Sequence, residues 1–255
     1  MSFDLDAYLA RIGAGAGAGL GELHRAHVTS VPFENLDPRR GVPVSLEPAD
    51  LERKLVHERR GGYCFEQNLL FKAALEAAGW RVEPMLARVR WGAPAGVIRP
   101  RSHLLLRVHD DGAVWHADVG FGNGTPLEPL PFGPGDEHEV GGWRYRVVEE
   151  GEQLVLQTVE GSEWRDVYAF VPAPVPLIDI ETSNWFTSTH PRSPFVTGLI
   201  AGLQHADGTR VSLSDWTGEL VLDEHSPERR RVTPVPAEAV PQLLQERFGL
   251  PGFPV

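Results

Sequence analysis

The sequence predicts an α+β protein, helical at its start and built mainly of antiparallel strands thereafter. Three observations carry this. Apolar residues recur at helical spacing through roughly the first 80 positions, the period changes to two from about residue 81, and acidic-glycine clusters punctuate the strand-like region.

Leu5, Leu9 and Ile12 share one face of a short helix. It runs out in the glycine-alanine alternation at 13–19, read as a loop because repeated glycines cost helix stability. A second helix sets Leu20, Leu23, His27 and Val31 on one side and stops at Pro32. Ser45 with Pro48 marks a further helix start, followed by Leu51 and Leu55. After Gly61 and Gly62, Leu69, Leu70, Ala73, Ala74 and Ala77 trace one helical face. Asn68, Lys72 and Glu76 lie opposite, and Gly79 closes the helix. Cys64 therefore falls at or just before its first turn.

Strand-like runs cover 82–91, 103–108, 113–119, 144–148 and 154–159, separated by turn clusters at 110–112 and 149–151. Short strands in series suggest an antiparallel barrel or a sandwich. The proline-rich stretch 171–176 reads as an extended connector, because proline cannot serve a central strand. Two or three further strands are expected beyond residue 200, and a last helix over about 241–247. No internal repeat is visible.

The 255 residues are 42% hydrophobic and 23% charged, with a net charge of −11. That length fits one domain or two to three small ones, and the acidity argues against non-specific binding to nucleic acid or anionic membranes. The N-terminus lacks the basic and apolar regions of a signal peptide, and no run approaches the length of a membrane span. A single cysteine cannot form an intramolecular disulfide, so a reducing compartment, the cytoplasm, is expected.

The thiolate is the reactive form of cysteine, and a helix N-terminus or an adjacent imidazolium favours it. On position alone Cys64 is as readily a buried, inert thiol, since free cysteines are among the most buried residues. The hairpin about Asp110, Asp111 and Gly112 adds weight. With His109 opposite Gly112, His103 falls directly across from Asp118; a tighter turn on Asp111 and Gly112 makes the two diagonal. Both registers put them on one face, whereas a three-residue loop would separate them. A His–Asp pair can hold an imidazole ready to deprotonate a cysteine.

Here the chain closely resembles the arylamine N-acetyltransferase family. Arg59-Arg60-Gly61-Gly62-Tyr63-Cys64-Phe65-Glu66-Gln67-Asn68 is similar to that family's nucleophile signature, and Pro32-Phe33-Glu34-Asn35-Leu36-Asp37 to its upstream motif. Ser102-His103 before an apolar strand, and Asp118-Val119-Gly120-Phe121-Gly122, resemble the segments carrying its histidine and aspartate. Ser188-Thr189-His190-Pro191-Arg192-Ser193-Pro194-Phe195 resembles a motif near the end of its second domain. The matches run in family order over about residues 5–200. One departure is the short Gly/Ala stretch between Gly13 and His24, where the family carries a longer one with aromatic and proline residues.

The resemblance implies three units: a helical bundle over 1–82 bearing Cys64, an antiparallel β-barrel over 83–200 bearing His103 and Asp118, and an α/β lid over 201–255. The Cys-His-Asp arrangement is like that of cysteine proteases. It further implies ping-pong transfer from acetyl-CoA, through a Cys64 thioester, to an arylamine or hydrazine. Gly120, Phe121 and Gly122, together with Ser102, are the expected cofactor contacts. No metal is expected: His24 with His27, or His116 with His103 and Asp118, could be drawn as ligands, but solvent-facing or packing roles account for the first pair and the His–Asp pair already has a use. Glu34 and Asn35 read as structural, and Arg229, Arg230 and Arg231 as a solvated charge run. An amide synthase of the same family, a transglutaminase-like thiol hydrolase and a non-catalytic binding module remain as alternatives. Oligomeric state is open.

Overall fold

A computed structural model describes residues 3–94, 96–216 and 218–251. The helical start comprises α1 (Leu5–Ile12), α2 (Leu20–Ser30), the two-residue strand β1 (Phe33–Glu34), α3 (Leu36–Arg39), α4 (Pro48–Leu51) and α5 (Cys64–Ala77). The caps explain the boundaries. The Asp4 side chain accepts from Ala7 N–H at 2.9 Å to start α1, and Gly13, at φ 73°, ends it in the left-handed conformation that glycine adopts without strain. α4 runs on into a π-helical turn, Glu52–His57. At the start of α5, Tyr63 is extended and the Glu66 carboxylate reaches back to its N–H at 3.1 Å, so a buried acid satisfies one of the orphan donors.

The strands follow as β2 (Arg81–Val89), β3 (His103–Asp110), β4 (Ala113–Ala117), β5 (Leu130–Pro131), β6 (His138–Val140), β7 (Trp143–Glu150), β8 (Gln153–Glu160) and β9 (Glu163–Phe170). After them come α6 (Leu177–Thr189), α7 (Pro194–Thr197), β10 (Ile200–Gln204), β11 (Arg210–Ser214), β12 (Val221–His225), β13 (Arg230–Pro234) and α8 (Val240–Phe248). β2 to β9 form one antiparallel sheet in the order β5-β4-β3-β2-β9-β8-β7-β6. Leu130 from one edge strand shares a core with Val140 and Trp143 from the other end of the sheet, and with Met85 and Leu105 from its middle. The sheet must therefore curl until its ends approach, giving a nearly closed barrel. Of the two architectures the strand pattern allows, the barrel is the one formed.

β3 is buried on both sides, which is why it reads as a continuous apolar run rather than an alternation. Leu106 and Val108 pack outward against the helices in a core with Tyr8, Leu23, Leu55, Phe71 and Leu75, while Leu105 points into the barrel. Each fully buried leucine or phenylalanine there contributes about 1.5–3 kcal/mol relative to exposure. A second sheet, β1-β10-β11-β12-β13, joins the chain's beginning to its end: Phe33 pairs with Gly202, and α8 covers the sheet through Val240, Leu244 and Phe248.

Among the described residues four strands, not two or three, follow residue 199. β9 and α6 are absent from the elements the sequence predicts. β9 alternates imperfectly across charged Arg165 and Asp166, and α6 leaves Leu177, Ile178 and Trp185 exposed, so neither shows a clean apolar face. Asn68 is a correction. The periodicity puts it on the polar side of α5, yet it is 0% exposed, because the N-terminal half of that helix is buried all round.

Candidate active site

The β3–β4 hairpin turns on Asp111 and Gly112, both at positive φ (45° and 81°), and Asp110 pairs with Ala113. That is the two-residue turn for which Asp-Gly is the preferred sequence. It selects the tighter of the two favourable registers, with Asp118 just past the end of β4 and diagonal to His103. His103 Nε2 and Asp118 Oδ2 stand 2.7 Å apart, both side chains almost wholly buried. Cys64, at the first position of α5, directs its Sγ to the Ser102 carbonyl oxygen at 3.6 Å, so the sulfur lies against the residue that directly precedes His103. The three residues expected to act together are brought together.

Asp118 accepts four hydrogen bonds. Asn68 Nδ2 (3.0 Å) and the Gly120 N–H (2.9 Å) donate to Oδ1; His103 and the Tyr168 hydroxyl (2.8 Å) donate to Oδ2. Burial alone would raise this carboxyl, but the His103 charge and these donors hold it well below the usual carboxylate range. For His103 burial disfavours the cation, yet the Asp118 carboxylate, with Cys64 adding to it, pushes the imidazole up to about 10. The pair is thus charged at neutral pH. Nε2 is committed to Asp118, so Nδ1 is the ring nitrogen left to serve the sulfur.

Tyr168 and Asn68 are residues that sequence reasoning does not assign. Tyr168 packs on the His103 ring at 4.7 Å and accepts from His116 Nε2 at 2.7 Å, extending the chain His116–Tyr168–Asp118–His103. Asn68 clamps two segments at once, donating to Leu104 O and accepting the Val119 N–H at 3.1 Å. Its place four residues after Cys64, one helical turn on, and at the end of the signature segment 59–68 are the signals the sequence offers.

Of the expected cofactor contacts, Gly120 runs so close to α5 that a Cβ there would lie 2.8 Å from Cys64 Cα and from Asn68 Nδ2. Phe121 stands edge-on to His103 with centroids 5.0 Å apart, and Gly122 adopts φ +76° against the Phe33 ring. Ser102 contributes its backbone carbonyl to the sulfur. Behind α5, Lys54 bridges Glu66 (2.6 Å) and Asp37 (2.7 Å), and Arg60 bridges Asp37 and Glu34 (2.7 Å each). This buried charge cluster fixes the loop that presents Cys64. Among the described residues no group of His, Cys, Asp or Glu has the arrangement to hold a metal ion.

Three other histidines are buried and neutral. His24 Nε2 accepts the Asp118 N–H at 3.2 Å, leaving Nδ1–H for Leu127 O. Gln67 uses its amide nitrogen on Pro32 O and Gly62 O, so its oxygen faces His27 Nε2–H and His27 Nδ1 accepts from Tyr8. Burial lowers His24, His27 and His116 to about 4, 3 and 4. A base depressed in the folded state stabilises it above the ordinary value of 6.5, and that contribution is lost as pH falls toward the folded value, roughly 3 kcal/mol for His24 and His116 and about 5 kcal/mol for His27. Glu66, pushed up to about 6, works in the opposite direction. Unfolding at pH 5 should therefore take up about two protons, measurable as the dependence of the calorimetric enthalpy on buffer ionisation heat. Net uptake near zero would show these histidines to be charged in the folded chain.

The motifs meet as well. Asn35 donates to Phe195 O (2.9 Å) and Gly198 O (2.8 Å) and accepts the Ile200 N–H (2.8 Å), binding the segment at 32–37 to the one at 188–195. A family model described as N-acetyltransferase matches residues 18–251. The arylamine N-acetyltransferase of Mycobacterium tuberculosis is 38% identical over 98% of this chain and 90% of its own length.

The chain belongs to the arylamine N-acetyltransferase family.

The Salmonella typhimurium relative, an arylamine N-acetyltransferase / N-hydroxyarylamine O-acetyltransferase, is 34% identical over 98% of this chain and 90% of its own length. Among solved structures, the Mycobacterium marinum arylamine N-acetyltransferase in complex with CoA superposes with a TM-score of 0.92 at 38% identity, covering 97% of this chain and 93% of that one. Family membership makes this an acyltransferase. The N-terminal departure, the short Gly/Ala stretch, is confined to the α1–α2 connection: Ala14 and Ala18 still pack on the helical core, and the site lies elsewhere.

Proposed function

We propose that this arylamine N-acetyltransferase family member works by a ping-pong mechanism in which Cys64 is the nucleophile, His103 the base and Asp118 the group that fixes His103. The observation that carries the reading is the buried His103–Asp118 pair at 2.7 Å, set beside a cysteine at a helix start. Cys64 Sγ, its proton passed to His103, attacks the thioester carbonyl of acetyl-CoA; the C–S bond to CoA breaks, and the departing thiolate takes that proton from the His103 imidazolium. The acetyl group stays on Cys64. An arylamine or hydrazine then attacks that carbonyl, His103 Nδ1 accepts its proton, and the Cys64 thiolate departs with its bonding pair. First-turn N–H groups of α5, which lack intrahelical partners, stabilise the tetrahedral oxyanion. Gly120, Phe121, Gly122 and Ser102 line the donor and acceptor side of the sulfur.

Acetyl-CoA is the co-substrate and a small amine the acceptor; nucleic acid and membranes are not partners in this reading, consistent with a net charge of −11. No helix of the described residues is long and apolar enough to cross a membrane, and a cytoplasmic site of action suits a lone reduced thiol. The test is an intact-protein mass spectrum after brief mixing with acetyl-CoA. One added acetyl group, discharged by an aminobenzoate, is expected. Rapid alkylation of Cys64 without an acetyl adduct would redirect the assignment to a longer or carrier-bound acyl donor, as an amide synthase of the family would use.

A further inference from the structure

In a chain of net charge −11, the segment between Glu83 and Asp110 contains five arginines and no acid. Two of the five are neutralised: Arg90 pairs with Glu150 and Asp166, and Arg107 with Glu83. The other three, Arg88, Arg99 and Arg101, pair with no carboxylate among the described residues. Arg88 donates to Arg99 O at 2.6 Å, and Arg99 donates to Trp91 O and Gly92 O at 3.0 and 3.1 Å, so these guanidiniums are tied into one loop by backbone contacts that leave their charges uncompensated. Arg101 is exposed.

The loop ends at the site. Ser102, whose carbonyl oxygen meets Cys64 Sγ at 3.6 Å, follows Arg101 directly. Arg99 is three residues from Ser102, no more than about 10 Å along the backbone, and an arginine side chain extends the reach further. A donor whose thioester carbonyl sits at Cys64 places its phosphates a pantetheine arm away, outside the buried catalytic pair, and the exposed Arg101 is a cation on the segment that leads out from it. Guanidinium groups suit phosphate oxygens through paired, charge-assisted hydrogen bonds.

We propose that Arg88, Arg99 and Arg101 form a phosphate-recognition rim for the CoA moiety, with Arg101 the principal contact. The proposal rests on acetyl-CoA being the acyl donor. The rim also draws the tetra-anionic donor to one side of an otherwise acidic protein, which would repel it elsewhere.

The experiment compares Arg101→Gln and Arg101→Glu with the unmodified chain on two donors, acetyl-CoA and phosphate-free S-acetylpantetheine, each with an anionic acceptor, aminobenzoate, and an uncharged aniline. The ratio of kcat/KM for acetyl-CoA over S-acetylpantetheine should fall about fivefold for glutamine and further for glutamate, mainly through KM for acetyl-CoA. Its dependence on ionic strength should weaken in parallel. An unchanged ratio would overturn the rim. So would a loss confined to anionic acceptors such as aminobenzoate and absent with uncharged anilines, which would assign Arg101 to the acceptor instead. Acylation of Cys64 by p-nitrophenyl acetate keeps the two readings apart: if that fails in the unmodified chain, it is the nucleophile assignment that is wrong.

Discussion

Cys64→Ala should form no acetyl-enzyme and should lose at least about 10⁴-fold in arylamine acetylation, because a covalent mechanism has no partial form without its nucleophile. The replacement is mild structurally. Cys64 is 3% exposed among Phe33, Tyr63, Phe65 and Leu104, and the sulfur's contact with the Ser102 carbonyl is a weak one at 3.6 Å. The loop and helix start are held by other groups: Glu66 on the Tyr63 N–H, Lys54 on Glu66, and Gln67 on Gly62 O. Thermal stability should therefore change little while activity disappears. Cys64→Ser provides the sharper comparison. It keeps a donor toward Ser102 O but presents a poorly nucleophilic alcohol to His103, so it should stay at least about 10³-fold down. Steady-state acetylation and the mass of the acetylated protein read both. Residual turnover within tenfold of the unmodified chain would mean that the amine attacks the donor directly, with Cys64 merely lining the site.

The parts of the site that the sequence makes legible are those fixed by local chemistry. Two of the three hairpin registers open to the sequence place His103 and Asp118 on one face, and the Asp-Gly turn, with left-handed φ values at both residues, takes the tighter of those two. Cys64 at a helix start follows from the glycine pair and the periodicity after it. The remainder is hidden for physical reasons. Asn68 reads as a polar-face residue because helical periodicity assumes one solvated side, and the first half of α5 has none. Tyr168 lies 50 residues from Asp118, on a strand whose alternation is interrupted, so nothing local points to the contact. The pairing of Phe33 with Gly202 spans most of the chain, and two-residue strands carry no periodicity at all. Glu34 reads as structural in the sequence, but nothing local marks Lys54, Arg60, Asp37 and Glu66 as its buried companions. Only their mutual pairing makes their burial tolerable.

Asp118→Asn should lower kcat/KM by about 10³–10⁴, more than its small change in shape suggests. All four groups around the carboxylate donate to it: Asn68 and the Gly120 N–H on one oxygen, His103 and Tyr168 on the other. An amide turns one acceptor into a donor, so whichever way the new side chain is flipped, two donors lose their acceptor. With the NH₂ toward His103, the imidazole must offer Nε2 as an acceptor and carry its proton on Nδ1, the wrong tautomer for a base facing Cys64. Stability should separate the electrostatic account from a packing one. His103 is raised from 6.5 to about 10, so its contribution is fully present below 6.5 and lost as pH rises through 10. Asp118 is depressed below 3.8, so its contribution is present above that value and lost as pH falls through the folded value. The unmodified chain should exceed the variant in Tm most between about pH 4 and 6.5, with the gap narrowing steadily toward pH 10. A Tm difference independent of pH would mean that Asp118 acts by filling space and accepting hydrogen bonds, with no charge on His103 for it to hold.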